Sequence, residues 1–353
     1  MADSRVPSAG GRALLSSPLP PGLVEHFGWP GPWPITPVVV DSGVLLNSVF
    51  RGVRWSEDLR FLGAAGSGVV RIYLPAHVYA EVEGHLRPGS RWCKRRELDD
   101  VTPFRERWEQ KYRPVLRVVT ITAGDVKDDR VERIAARDPS DGAFAALASL
   151  LAPCIALAED PDITEHGLAA REWEPLALLA GTAAESATPL VTMMFGTNAS
   201  ARLSVAAIGA VARSRWWPLA LAAIAGGLYL LHRQEPITKE RVARWMEAGA
   251  RALEPVAQYL EAAYAVGEDA HRQLRAAAII PVSNPAPPQH RLARLVAVTP
   301  RSCTGTELTT LLAQEGLQVT RDRVLNVLRY YSYFEQSRPH HWQIGHQRAG
   351  DAS

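Results

Sequence analysis

Four short acidic stretches in the first half of the chain carry side chains able to hold a hard metal cation. They are VVVDSGVLL with Asp41, LPAHVYAEVEGHL with Glu81, RDPSDGAFAALA with Asp138 and Asp141, and CIALAEDPDI with Asp160 and Asp162. Carboxylate oxygens suit Mg²⁺ and Mn²⁺, and several acids gathered in one pocket repel one another unless a cation offsets their charge. The apolar runs before Asp41 and Asp160, Val38 to Val40 and Ile155 to Ala158, are brief, continuous and partly β-branched, which predicts short buried strands. A carboxylate at the end of such a strand stands at the carboxyl edge of the sheet, where open α/β sheets bind ligands.

Each acid also has a purely structural use. Asp138, Pro139 and Asp141 are an N-cap, a first-position proline and a first-turn acid, which is what a helix start needs by itself. Glu81 has His77 and His85 one turn to either side, while Val78, Val82 and Leu86 form the buried stripe of the same predicted helix, so a solvated polar face accounts for it as well. Glu83 competes with it for the same role. Asp160 and Asp162 flank Pro161 in ordinary turn chemistry. The ordered recurrence of four such sites in one α/β pattern is what favours a shared cation site.

These residues resemble the PIN-domain nucleases over roughly 36–165. The resemblance implies a parallel sheet flanked by helices, in which an Asp ends the first strand, a Glu lies on a helix after a strand and a Pro, an Asp opens a later helix and a last Asp closes another strand. Position by position these are Asp41, Glu81, Asp141 and Asp160 as catalytic and metal-holding residues, with Asp162 and Asp138 as auxiliaries. The implied activity is endoribonucleolytic hydrolysis of single-stranded RNA with Mg²⁺ or Mn²⁺ as cofactor. The chain departs from the family pattern at the first strand, where Asp41 is followed by Ser42 and Gly43 instead of Thr and Asn. The alternative expectation is a PIN scaffold with a weakened site, acting through its C-terminal part as a nucleic-acid-binding or regulatory protein. Neither a phosphate-cradling glycine loop with its Lys nor a nucleophile elbow offers other chemistry.

The elements that would position these acids occupy part of a longer chain. Its 353 residues predict about two or three domains, and the formal charge of +2 gives no global pull toward nucleic acid. Locally, Lys94, Arg95 and Arg96 beside Trp92, followed by Arg105, Arg107, Lys111 and Arg113, could form a track for an RNA backbone. The interleaved Glu97, Asp99, Asp100, Glu106 and Glu109 fit a plain solvated helical face equally well. Cys93, Cys154 and Cys303 have neither disulfide nor zinc spacing, so a reducing, cytoplasmic location is expected.

Residues 1–35, rich in Pro, Gly and Ser, read as an irregular arm without a secretory signal. The region 166–280 reads as helical. Within it, 204–231 is almost wholly apolar apart from Arg213 and Arg215, and its second run, WWPLALAAIAGGLYLL, is 16 residues long. A span needs about 20. This segment therefore reads either as a membrane-embedded hairpin or single span, which would make the protein membrane-associated, or as a buried helical pair. A long helix is expected over 238–264, with Val242, Trp245, Met246, Leu253, Val256 and Leu260 as a packing stripe, and 281–288 as a linker.

The segment 289–346, followed by a tail over 347–353, predicts three helices and a hairpin around Arg338 and Pro339. That order resembles the winged helix-turn-helix family. The resemblance implies that Arg321, Arg323, Asn326 and Arg329 face outward on the third helix and bind nucleic acid in a groove, with DNA, RNA or a regulatory protein as the partner.

Overall fold

The computed structural model describes residues 33–170, 172–191, 239–277 and 286–347. The segment 204–231 lies outside them, as do the linker residues 281–285, the arm up to residue 32 and the tail beyond Gln347. Among the described residues no helix is long and apolar enough to cross a membrane.

The elements of the first part are β1 (Thr36–Val40), α1 (Ser42–Trp55), α2 (Arg60–Gly66), β2 (Val70–Pro75), α3 (Ala76–His85), α4 (Arg91–Arg95), α5 (Thr102–Arg107), β3 (Leu116–Val119), α6 (Asp129–Arg137), α7 (Pro139–Leu151), β4 (Ile155–Leu157) and α8 (Pro161–Glu165). A helical stretch over 174–191, α9, follows. Every residue of the four strands is buried, the mark of a parallel sheet covered on both faces, and explains why they read as continuous apolar runs. The strand order is β4-β1-β2-β3, all parallel, so the carboxyl ends of all four strands share one edge.

The C-terminal part contains α11 (Pro288–Val298), β5 (Cys303–Thr304), α12 (Gly305–Gln314), α13 (Arg321–Tyr330), β6 (Phe334–Arg338), β7 (His341–Ile344) and β8 (His346–Gln347), preceded by α10 (Lys239–Ala277). Strands β5, β7 and β6 form a small antiparallel sheet. Of the two threonines that could start the second helix, Thr304 and Thr306, it is Thr304 that caps it, in a reciprocal box with Glu307, and Thr320 caps α13.

Three expectations change. The large sheet is mixed, because β8 adds antiparallel to the β3 edge, Arg117 opposite Gln347 and Val118 opposite His346. Gly345 makes this return possible: its φ is +60°, and a Cβ there would stand 2.5 Å from the Val118 carbonyl oxygen. Second, 36–165 and 289–346 fall in one compact unit and are not separate bodies. One apolar core runs from Val39, Tyr73 and Phe144 to Leu292, Val296, Leu308, Leu328 and Trp342. Third, the arm ends inside this unit, with Trp33 and Ile35 buried.

The second unit, 189–265, is described only over 189–191 and the first 27 residues of α10. That helix runs beyond the expected 264 to Ala277 and contains Pro255. Val256, expected in a packing stripe, is exposed, as are Tyr259 and Tyr264.

Buried Arg71 on β2 fastens the C-terminal helices to the sheet. Its guanidinium donates to the carbonyls of Ala297 and Thr299 at 2.8 Å and of Pro300 at 3.2 Å, and the Tyr73 hydroxyl donates to Ala297 at 3.1 Å. These carbonyls end α11, so the cation also meets the negative end of that helix. Arg71→Met would fill similar space but leave buried carbonyls unpaired, at a cost of roughly 3 kcal/mol. Urea denaturation followed by circular dichroism is expected to show that loss as one cooperative transition. Separate melting of the two parts, or no loss, would contradict a single core.

Candidate functional site

Asp41 leaves β1 directly into α1. Its backbone N–H donates to Leu157 of β4 at 2.9 Å, continuing the ladder, and its Oδ2 accepts from the Gly43 N–H at 3.4 Å as the α1 N-cap. Glu81 lies on α3, which starts where β2 ends, and pairs with His85 at 3.4 Å. Asp141 stands in the first turn of α7. That helix packs so closely on α6 that a Cβ on Gly142 would stand 2.5 Å from the Ala135 Cβ. Asp160 follows β4 and caps the short helix α8, accepting from the Asp162 N–H at 2.7 Å. All four candidates therefore start from the carboxyl edge of the sheet or from a helix delivered to it.

Electrostatics tie them together. Burial, reinforced by the charges of Glu81 and Asp160, raises the Asp41 carboxyl to about 6 against the lowering effect of the Ser42 and Gly43 amides. Burial, with the charges of Asp138, Asp160, Asp41 and Asp162, raises Asp141 to about 6. Burial reinforced by such repulsion marks carboxylates brought close to one another. The donor set is all oxygen and anionic, which suits Mg²⁺ or Mn²⁺. As the side chains stand, however, no group of three or more His, Cys, Asp or Glu among the described residues could hold a metal ion.

The auxiliary acids are otherwise employed. Asp138 is exposed and caps α7, accepting from the Ser140 N–H at 2.8 Å and from its hydroxyl at 2.5 Å, which holds its carboxyl below the usual range. Asp162, expected as a metal ligand, forms a 2.6 Å ion pair with Arg137, so part of its charge is already balanced. His77 is half-buried near Glu81, Asp138 and Ser140, and burial lowers its pKa so that the ring is neutral at pH 7.

Several residues of the basic stretch over 94–113, read either as an RNA track or as a solvated helical face, have local partners. Arg107 and Lys111 converge on Asp58 at 2.7 and 3.0 Å, Arg105 pairs with Glu109, and Trp92 packs edge-on against Phe50 and Phe104. Arg96 lies 4.5 Å from the centroid of the Phe50 ring and donates to the Asn47 side chain at 2.6 Å.

Asn47 leads to what sequence reasoning missed. Its amide donates to Glu159 Oε2 at 2.8 Å. A Cβ on Gly43 would stand 3.5 Å from Asp41 Oδ2 and 3.8 Å from Glu159 Oε2, so Glu159 borders the Asp41 carboxylate. The amide absent at Gly43 is thus found one turn later on the same helix. The only sequence signals were the i, i+4 spacing of 43 and 47 and the position of Glu159 beside Asp160. In the C-terminal part, Arg321, Arg323, Asn326 and Arg329 are exposed on α13, whose Val324 and Leu328 are buried.

Compared with known proteins, the chain matches no family model, no curated protein and no solved structure.

Asp41 and Asp141 titrate near 6 when folded, against 3.8 ordinarily. The folded state therefore binds protons more tightly than the unfolded one. The stability this contributes is complete below about 3.8 and is lost as pH rises through about 6. Thermal melts in EDTA are expected to fall across that window. Asp41→Asn should flatten the fall and stabilise the protein near neutral pH by on the order of 1 kcal/mol, discounted for partial solvent screening. A variant that melts with the same pH profile as the wild type would refute the shared negative field.

Proposed function

We propose that the chain is a metal-dependent endoribonuclease of PIN type, hydrolysing phosphodiester bonds of single-stranded RNA. The observation that carries this reading is the pair of carboxyls, Asp41 and Asp141, raised to about 6 by burial and then by the charges of acids arriving from other elements at one sheet edge. A parallel sheet with its ligand edge lined by carboxylates is a scaffold for a hard cation and phosphate.

In this reading Asp41, Glu81 and Asp160 supply the oxygens that hold the ion, with Glu159 beside Asp41. Bound Mg²⁺ or Mn²⁺ would orient and acidify a water and offset the charge that develops on the phosphate. Asp141, raised to about 6 by burial and by its neighbours' charges, is suited to take a proton from the attacking water. His77, close to Glu81 and hydrogen-bonded to the Ser140 backbone, keeps a neutral ring that adds no charge to the edge. Asp162, paired with Arg137, adds to the field at Asp141 as a more distant member.

A second reading is favoured by one observation, the row of exposed Arg321, Arg323, Asn326 and Arg329 on a helix followed by a hairpin. On this reading the C-terminal part is a winged helix that binds nucleic acid, and the acidic edge is a weakened remnant. Both readings are compatible with one core, since a docked winged helix could present RNA to the edge or act alone.

Labelled single-stranded RNA is expected to be cleaved with Mg²⁺ or Mn²⁺, and not in EDTA. Asp41→Asn should reduce cleavage by at least about a hundredfold, in line with the loss of a main metal ligand or preorganised charge. Cleavage that survives the substitution would transfer the function to the C-terminal helix. There, Arg323→Ala is expected to weaken RNA or DNA binding and to lower its salt dependence by about one counterion. Unchanged affinity and salt slope would exclude groove or backbone contact by that helix.

A further inference from the structure

At the opposite, amino edge of the large sheet lies a cleft of about 710 Å³. Thr36 at the start of β1 and Pro153 just before β4 border it, whereas Asp41 leaves β1 at its other end. A five-residue strand separates the two by roughly 17 Å.

Three guanidinium groups line this cleft: Arg275 from the end of α10, and Arg291 and Arg294 one turn apart on α11. Among the described residues none of the three forms an ion pair with a carboxylate. Glu315 is the one acid lining the cleft among the described residues, leaving a formal excess of two positive charges. Asp128, whose charge reaches His290, is already held by Arg130 at 2.7 and 3.0 Å and by the Ser149 hydroxyl at 2.8 Å.

The field of these cations is felt by the groups around them. Burial and the charge of Arg294 push His290 down to about 4, with Asp128 opposing, and burial together with Arg275 lowers His271. Arg294 is itself lowered, by burial and by Arg291. Like charges collected in a half-buried cleft are a strain that an anion would relieve, the mirror image of the acidic edge.

Apart from Thr36 the rest of the lining is apolar, with Ile35, Leu151, Pro153 and Leu295 among it. A guanidinium is a planar fork that matches two phosphate oxygens, and three of them exceed what a lone carboxylate requires. The volume falls within the range of small-molecule sites, about 300–1,000 Å³. From the unpaired guanidiniums and the apolar wall beside them, we infer a second binding site that takes a nucleoside phosphate. Its phosphates lie on Arg275, Arg291 and Arg294, and its flat apolar part lies against Leu151, Pro153 and Leu295. This site does not depend on the nuclease reading, because it shares no residue with the acidic edge.

Isothermal titration of the full chain with ADP in EDTA tests it, since chelation removes any binding through a metal at the acids. Binding is expected, with adenosine at least tenfold weaker. The double variant Arg275→Gln/Arg291→Gln should weaken ADP at least tenfold. Arg294 is left intact because its Nε donates to the Leu150 carbonyl at 3.3 Å and so serves the fold. A thermal melt matching the wild type shows that the double variant is folded. A short oligonucleotide with a 5′-phosphate, compared with its 5′-hydroxyl form, identifies the source of the phosphate: tighter binding than ADP means a nucleic-acid end, and weaker binding means a free nucleotide. The inference is overturned if neither phosphate compound binds, if the double variant binds ADP as the wild type does, or if adenosine binds as well as ADP.

Discussion

Like-charge repulsion at the carboxyl edge of the parallel sheet is the constraint around which this half of the molecule is built. Asp41 and Asp141 reach the edge from different directions, one at a strand end and one in the first turn of a buried helix, and each is held near 6 by burial and by the other acids. Such an arrangement costs stability at neutral pH, and the fold around it supplies the compensation. The four strands are buried on both faces, and α7 is buried along nearly its whole length, so the edge cannot relax by moving backbone apart. The remaining freedom lies in the side chains, of which Glu81 with its His85 partner is the most exposed.

The second organising interaction is Arg71. A cation buried in a parallel sheet is costly unless it is hydrogen-bonded, and here it closes on three backbone carbonyls, of Ala297, Thr299 and Pro300, at the end of α11. With Tyr73 and the β8 strand it welds the C-terminal helices to the sheet, and the apolar core continues through them without a break. Any change that bears on the exposed face of α13 therefore acts on a body continuous with the acidic edge. That gives a physical route for coupling between the two.

The two ends of β1 carry opposite charge. At one end carboxylates gather, with Asp162 paired to Arg137; at the other, Arg275, Arg291 and Arg294 line a cleft with one acid among its described lining. Asp41, Asp141 and Asp160 at one end and Arg291 and Arg294 at the other are half-buried, where an unpaired ion is expensive, whereas Glu81 and Arg275 are exposed. By contrast, the basic residues over 105–111, which looked like a nucleic-acid track, have local partners and account for themselves as structure.

Much of this was legible in local sequence. The runs Val38 to Val40 and Ile155 to Ala158 could only be buried strands; Asp138 with Pro139, Thr304 with Glu307, and Thr320 announced helix starts through hydrogen bonds spanning a few residues; Gly316 announced a turn. These features are set by neighbours along the chain, and so the sequence by itself determined them. The pairing of β8 with β3, the grip of Arg71 on α11, the contact of Asn47 with Glu159 and the gathering of three arginines from two helices all join residues distant in the chain. Nothing in their types or spacing distinguishes them from ordinary surface or core residues. Only the tertiary structure decided them, because the charge and hydrogen-bond partner that give each side chain its role arrive through space, after the core has closed.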